Sequence, residues 1–319
     1  MPWIIGIDEA GYGPNLGPLV MSCIAMRVPE GMIGADLWSE LVGGARRHPS
    51  DDDGRVLVDD SKRVYSTTRG LAGLEANVLA ALGTAFIENC RVLSGLIVQL
   101  CPGQGKLPAE VWYTGKTTLP VQADGSRCSD LAARFHEACS ARGVQLVFQS
   151  SLVVNARDFN QLTEQTGSKG NVLAHGLMQH VRAVAAAAPE DALHFYVDKH
   201  GGRNTYAAML QDALPDGMVT TQHESGARSC YSVYGGQRTV RFTIQPRADS
   251  EHFCVALASM VSKYLRELLM LEYNEFWKTH LPALKPTAGY PLDAERFFQQ
   301  IQPVIDRLGI AKEAIWRSR

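Results

Sequence analysis

The run Trp3-Ile4-Ile5-Gly6-Ile7-Asp8-Glu9-Ala10-Gly11-Tyr12-Gly13-Pro14-Asn15-Leu16-Gly17-Pro18 decides how the rest of the chain is read. An apolar stretch ends on two adjacent carboxylates, a glycine-rich turn follows, and a second apolar stretch runs from Leu19 to Met26. The pattern predicts strand, tight turn, strand, with the acids at the end of the first strand. Such a pair is either solvated at the tip of a hairpin or held by a cation or strong donors. A dinucleotide loop fits poorly. Gly11-Tyr12-Gly13 lacks a third glycine at the right offset, Pro14 interrupts it, and a strand follows where a helix should start. A metal site fits if the chain supplies more carboxylates downstream.

The 319 residues suffice for one large domain or two ordinary ones, and 45% hydrophobic with 20% charged residues is ordinary for a globular protein. The formal net charge of -2 means that any nucleic-acid surface must be a local patch. Seven cysteines with no C-x-x-C spacing predict reduced thiols in a cytosol-like compartment rather than a disulfide framework or structural zinc. The first strand is reached by about residue 3, which leaves no room for a signal peptide, and no apolar run is long enough to span a membrane. The expected localisation is cytoplasmic.

Downstream, Asp36 to Leu41 reads as a short helix and Arg46 to Gly54 as an exposed loop. Val58-Asp59-Asp60-Ser61-Lys62 leads into a helix from about Thr67 to Ala85. Val92 to Leu100 reads as a strand broken by Cys101-Pro102-Gly103-Gln104-Gly105. A helix over Ser129 to Ala141, stopped by Gly143, and a strand over Val144 to Val154 come next. Asn155 to Gly170 reads as turn and short helix. Asn171 to Ala187 reads as a helix with Leu173, Leu177, Val181 and Val184 on one face.

His194-Phe195-Tyr196-Val197-Asp198 is a short apolar strand ending on an acid. A helix over Thr205 to Leu214 and a strand over Met218 to Gln222 complete a βαβ pattern, which predicts parallel strands and a right-handed crossover. An acid at the carboxyl end of such a strand lies where α/β sheets carry their sites. Ser229 to Tyr234 and Gln237 to Ile244 around Gly235-Gly236 predict a hairpin. It carries Arg238, Arg241 and Arg247, with Arg228 before it and Tyr231, Tyr234 and Phe242 between. This is the footprint of either a strand-binding surface or a solvated, protruding hairpin. Asp249-Ser250 opens a long helix to about Tyr273, with Phe253, Leu257, Met260, Val261, Tyr264, Leu268 and Leu271 facing the core and Ser259, Lys263 and Arg266 off that stripe. A loop with Gly289-Tyr290-Pro291 and one or two short helices end the chain.

Four acids stand out: Asp8, Glu9, Asp198 and Asp249. With them, the sequence resembles the type 2 ribonuclease H family, which comprises ribonuclease HII and the catalytic subunit of eukaryotic ribonuclease H2, as a divergent member. Gly6 to Val20 matches the family's opening motif, Asp60-Ser61-Lys62 its Asp-Ser-Lys, and Val197-Asp198 through Gly201 its third acid. Thr205-Tyr206 continues the eukaryote-like form of that third motif. Ala256 to Glu267 matches the helix after its fourth acid, and Thr287 to Asp293 its Gly-Tyr-Pro segment. The matches are collinear from Gly6 to about Arg319, with insertions at about 86–143 and 225–248. One departure is plain: the family's Gly-Arg-Gly turn is Gly11-Tyr12-Gly13 here, so a guanidinium is absent.

The resemblance implies an α/β fold, a ribonuclease H-like mixed sheet flanked by helices with a small helical C-terminal extension. The catalytic domain would be 1–273 and the small helical subdomain 274–319. It implies hydrolysis of the RNA strand of RNA–DNA hybrids, or of DNA containing ribonucleotides, to 3′-hydroxyl and 5′-phosphate ends. Asp8, Glu9, Asp198 and Asp249 would hold two Mg²⁺ or Mn²⁺ ions about 3.5–4 Å apart. Gly11, Tyr12, Gly13, Lys62, Asn171, Ser259, Lys263 and Tyr290 are the expected substrate contacts or their supports. A structure-specific nuclease of the same fold and a non-catalytic nucleic-acid binder are the other readings. Protein partners are unassigned.

Overall fold

The computed structural model describes residues 1–48, 53–66, 68, 70–104, 109–235 and 238–318, apart from the side chains at 84, 85 and 87. Strands β1 (Trp3–Ala10) and β2 (Leu19–Arg27) come first. They are followed by α1 (Leu37–Glu40), β3 (Ala45–Arg46), β4 (Val56–Leu57) and α2 (Ser61–Val64). Helices α3 (Ala72–Leu82), α4 (Thr84–Asn89), α5 (Leu93–Leu100) and α6 (Gly125–Ala141) lead to β5 (Gln145–Val154). Then come α7 (Ala156–Thr166), α8 (Gly170–Ala187), β6 (Leu193–Asp198), α9 (Ala207–Ala213), β7 (Met218–Glu224), β8 (Ser229–Tyr234) and β9 (Val240–Gln245). A 3₁₀ turn (Ala248–Ser250), α10 (Phe253–His280), α11 (Pro291–Leu308) and α12 (Lys312–Ile315) close the chain.

Seven strands form one mixed sheet in the order β5-β2-β1-β6-β9-β8-β7. β1 is antiparallel to β2 and parallel to β6, and β6 is parallel to β9. Alternation along β1 sends Ile5 and Ile7 to one face and Ile4 to the other. The first face packs under α7, α8 and α9. The second packs under α10, α3, α5 and α6. A third apolar cluster joins Leu16 and Trp112 to Met270, Tyr273 and Trp277 of α10 and to α11. Helix α10 therefore passes unbroken through residues 273 and 274 and serves two cores.

α10 lies on β1 without a side chain between them at Gly6. A Cβ added there would stand 2.1 Å from the carbonyl carbon of Cys254. Segment 110–123 is held against the same helix layer by two buried carboxylates. Glu75 accepts hydrogen bonds from the backbone N–H of Val121, Gln122 and Ala123 at 2.7–2.8 Å and from the Tyr264 hydroxyl at 2.8 Å. Glu272 accepts from the N–H of Thr114 (2.7 Å), Gly115 (2.9 Å) and Thr117 (3.3 Å) and from both threonine hydroxyls. Backbone donors offset the cost of burying each charge.

Several expectations need correction. Val92 to Leu100 is helical over Leu93–Leu100. Its β-branched residues suggested a strand, but Leu93, Leu96, Ile97 and Leu100 are buried at helical spacing while Val98 is exposed. The arginine-rich hairpin does not protrude. β8 and β9 are inner strands of the sheet, Tyr231 and Phe242 are buried, and Arg238 donates to the carbonyls of Ala185 and Ala188 at the end of α8. Residues 236 and 237 of its turn lie outside the described residues, as do 49–52 of the expected 46–54 loop, Thr67 at the expected helix start, and Gly105 in the expected breaker.

β7 runs in the direction of β6 but pairs only with β8, so the βαβ unit skips two strands. Asn155 to Gly170 holds a helix of 11 residues, α11 has 18, and Leu271 is exposed while Arg266 is buried. All seven cysteines are free, and among the described residues no helix is long and apolar enough to cross a membrane.

Gly6→Ala is expected to lower unfolding free energy by at least about 3 kcal/mol, because the methyl meets backbone that cannot rotate away. Gly31→Ala, where an added Cβ meets nothing within 4 Å, should stay within about 0.5 kcal/mol of the parent. Guanidinium unfolding of both variants checks this.

Candidate functional site

The register of the parallel pair β1–β6 sets Ile7 opposite Val197, so Asp8 and Asp198 leave neighbouring strand ends together. Both lie on the α10 face by alternation. β9 ends at Gln245, the partner of Asp198, and the chain then turns through Arg247 to deliver Asp249. Arg247 makes that turn possible with a left-handed backbone (φ 58°, ψ 35°), unusual for a residue with a side chain. Ala248 N–H then donates to Asp198 Oδ1 at 2.9 Å, which locks the Asp249 turn onto the Asp198 strand.

These acids line a cleft of about 460 Å³ with Asp60, Ser61, Lys62, Arg63, Arg247, Ser250 and Ser259. Glu9 N–H donates to Asp8 Oδ1 at 2.8 Å, and Ser262 of α10 donates to the Asp8 carbonyl at 3.0 Å. Ser259 donates to Ser61 at 3.1 Å, tying α10 to α2 beneath the cleft. Asp60 caps α2 by accepting from Lys62 N–H at 2.9 Å.

The acids strain one another electrostatically. Burial, then repulsion from Glu9, Asp198 and Asp249, holds Asp8 well above the usual carboxylate range. Burial with Asp198 pushes Glu9 up to about 7. Burial, then Asp60 and Asp198, pushes Asp249 up to about 6. Burial also raises Asp198, against the pull of the Ala248 N–H. The Lys62 ammonium, which lines the same cleft, opposes the rise at Glu9, Asp198 and Asp249 alike.

Of the expected site residues, the structure gathers Asp8, Glu9, Asp198, Asp249, Lys62 and Ser259 in the cleft. Gly11, Tyr12, Gly13 and Tyr290 form a neighbouring wall. The Gly289 carbonyl accepts from Asn15 and Leu16, and a Cβ on Gly13 would touch the Tyr290 ring at 3.9 Å. Gly11 is left-handed (φ 88°) and pressed against Arg266, so it cannot carry a side chain. Lys263 stands apart, its ammonium 2.6 Å from Glu267 and over the Tyr65 ring. Asn171 has both ends of its amide engaged, by Arg203 at 2.6 Å and by the Thr166 carbonyl at 3.1 Å.

Sequence reading passed over Asp60 and Ser61, although their motif was in view, and over Arg247 as a cleft residue. Arg203 carried no sequence signal, because its partner is 32 residues away.

Among the described residues no set of three or more His, Cys, Asp or Glu is gathered into a ready-made metal cage. The donor chemistry nonetheless fits a hard divalent cation. Every ligand on offer is a carboxylate oxygen, and the mutual repulsion is the kind a cation relieves.

No protein-family model matches the sequence, and no curated protein matches it. The chain is similar in structure to a ribonuclease HII from Archaeoglobus fulgidus, seen in a complex with PCNA, at 15% identity over 99% of this chain and 94% of that one, TM-score 0.47. It is also similar to ribonuclease H2 from Pyrococcus horikoshii (15% identity, 98% and 92%, TM-score 0.43). A third likeness is to Bst ribonuclease HIII in complex with Mn²⁺ (15% identity, 99% and 66%, TM-score 0.41). These likenesses are of overall architecture, at low identity.

A carboxyl whose folded pKa is raised keeps its proton where the unfolded chain has lost it. Stability is therefore full below the unfolded carboxylate range, falls as pH rises toward about 6 for Asp249 and about 7 for Glu9, and stays low above. Without divalent metal at pH 8, Glu9→Gln and Asp249→Asn should each melt about 2–4 °C above the parent, an advantage that fades by about pH 4.5. Mg²⁺ at pH 8 should raise the parent's Tm more than either variant's. Scanning fluorimetry over pH and metal reads all of these outcomes.

Proposed function

We propose that the chain is a metal-dependent endoribonuclease that hydrolyses the RNA strand of RNA–DNA hybrids and leaves 3′-hydroxyl and 5′-phosphate ends. The observation that carries this reading is the convergence of Asp8, Glu9, Asp198 and Asp249 around Lys62. Three separated parts of the sequence deliver these acids to one cleft. They are the positions that the motif resemblance marks as ligands. A structural role alone would not favour so many mutually repelling carboxylates in one place.

Bound Mg²⁺ or Mn²⁺ would supply Lewis-acid activation of water and stabilisation of the leaving oxygen. Asp8, Glu9, Asp198 and Asp249 would hold the ions, with Asp60 beside Asp249 as a further carboxylate. Lys62 sets a positive charge in the cleft for the non-bridging oxygens of the scissile phosphate. The Gly11–Gly13 turn brings bare backbone to the sugar, where N–H and C=O groups can meet a 2′-hydroxyl, the group that separates RNA from DNA. Tyr290, exposed beside Gly13, stacks on or hydrogen-bonds that sugar. Of this wall, Tyr290 comes from the 274–319 segment, whose helix α11 packs in the third apolar core. The buried free thiols fit a reducing, cytoplasmic setting.

The test is incubation with Mg²⁺ or Mn²⁺ and three labelled duplexes: a continuous hybrid, a DNA with one embedded ribonucleotide, and plain DNA. Cleavage of the hybrid and not of plain DNA is expected, falling at least about 100-fold in Asp249→Asn. Cleavage of plain DNA would replace this reading with a general nuclease. Binding without cleavage would leave a non-catalytic binder.

A further inference from the structure

The turn beside the acids has a tyrosine at its centre, yet the space around that tyrosine is cationic. The Lys169 ammonium stands 4.5 Å over the Tyr12 ring. Burial raises the Tyr12 phenol's pKa, Glu9 raises it further, and the Arg203 guanidinium draws it back.

Arg203 lies in the loop that follows Asp198, after Gly201-Gly202, with its N–H on the His200 carbonyl at 3.1 Å. One arm of its fork is fixed on Asn171 Oδ1. Asn171 is itself pinned to the end of α7 through the Thr166 carbonyl, so the arm has a rigid seat. Among the described residues, Arg203 has no carboxylate partner, and its Nε and Nη1 meet no protein acceptor. The other cation of the loop, Lys199, is engaged by the Asn204 side chain of the same loop and by the Gly226 carbonyl of the turn between β7 and β8. A half-buried guanidinium, pre-set by a buttressed amide and with open donors beside a carboxylate cleft, suits one anionic partner: a phosphodiester.

We propose that Arg203, seated by Asn171 and with Lys169 over Tyr12 beside it, grips a backbone phosphate of the bound strand where it leaves the acid cleft, supplying the charge that a tyrosine at position 12 lacks. The identity of that strand as part of an RNA–DNA hybrid rests on the function proposed above. Asn171 is then a positioning residue rather than a substrate contact.

The experiment measures binding of a fluorescent RNA–DNA hybrid by anisotropy, without divalent metal and across salt, for the parent, Arg203→Ala, Arg203→Lys and Asn171→Ala. A parallel set of hybrids carries one neutral methylphosphonate linkage, moved along the RNA strand. The proposal expects Arg203→Ala to bind about 10-fold more weakly and to lower the slope of log K against log salt by about 1. Arg203→Lys should restore the slope and part of the affinity, and Asn171→Ala should weaken binding with less change in slope. One methylphosphonate position should cost the parent about 10-fold and Arg203→Ala nothing further.

An unchanged slope in Arg203→Ala would overturn the proposal and leave Arg203 as a tie between loops. So would a methylphosphonate loss equal in parent and variant. A hybrid that binds with these signatures but is never cleaved would refute the nuclease reading while leaving the phosphate grip in place.

Discussion

The closeness of α10 to β1 governs the rest of the molecule. At Gly6 the helix backbone sits where any side chain would be, so strand and helix meet as backbone on backbone. Two residues further along β1, Asp8 therefore emerges directly against α10, where Ser262 takes its carbonyl. The same contact lowers Ser259 onto Ser61, and with it the α2 turn that carries Asp60 and Lys62. One missing Cβ thus fixes the distance between the sheet's acids and the helical layer's cation. Leu or Val at position 6 would satisfy the apolar pattern of the strand equally well and would remove the cleft.

The second constraint is that converging acids must be held against their own repulsion. Backbone N–H groups do this. Asp8 accepts from Glu9 N–H, and Asp198 accepts from Ala248 N–H on the turn that bears Asp249. The left-handed Arg247 is the local cost of aiming that turn, on the order of 1 kcal/mol or more. Backbone strain and raised carboxyl pKa values at one place are what a site prepared for a cation would show before the cation arrives. Lys62 supplies a small part of the missing charge.

Much of this was legible because it is written in short patterns. An apolar strand ending on Asp8-Glu9, and another ending on Asp198, read directly as acids at the carboxyl ends of strands. Their adjacency follows from a parallel register that no sequence pattern states. Asp249 needed the resemblance, since an acid opening a helix is ordinarily a cap. The Val92 to Leu100 segment misled because six of its nine residues are apolar and suit a short strand as well as a helix, and only burial of Leu93, Leu96, Ile97 and Leu100 separates the two. Arg203 and Thr166 were invisible, and Asn171 was read without its partners, for another reason. Each is unremarkable alone, and the chain of hydrogen bonds joining them exists only after α7 and the loop beyond β6 have docked.

The arginine-rich hairpin shows why charge runs are weak guides to nucleic-acid surfaces. Tyr231 and Phe242 alternate with polar residues because they face a core, where both are buried, whereas Tyr234 is exposed. Arg238 saturates carbonyls at the end of α8, and Arg228 leans on Gln245 and Glu251. Those two guanidiniums are engaged by backbone and side-chain acceptors, whereas Arg247 of the same run lines the acid cleft. Arg203 belongs to no such run, yet its Nε and Nη1 meet no acceptor among the described residues. With a net charge of -2, the protein has no long-range attraction to spend on a polyanion. On the proposed reading, affinity for a strand then comes from local cations such as Arg203, at the edge of the cleft, and not from the overall field.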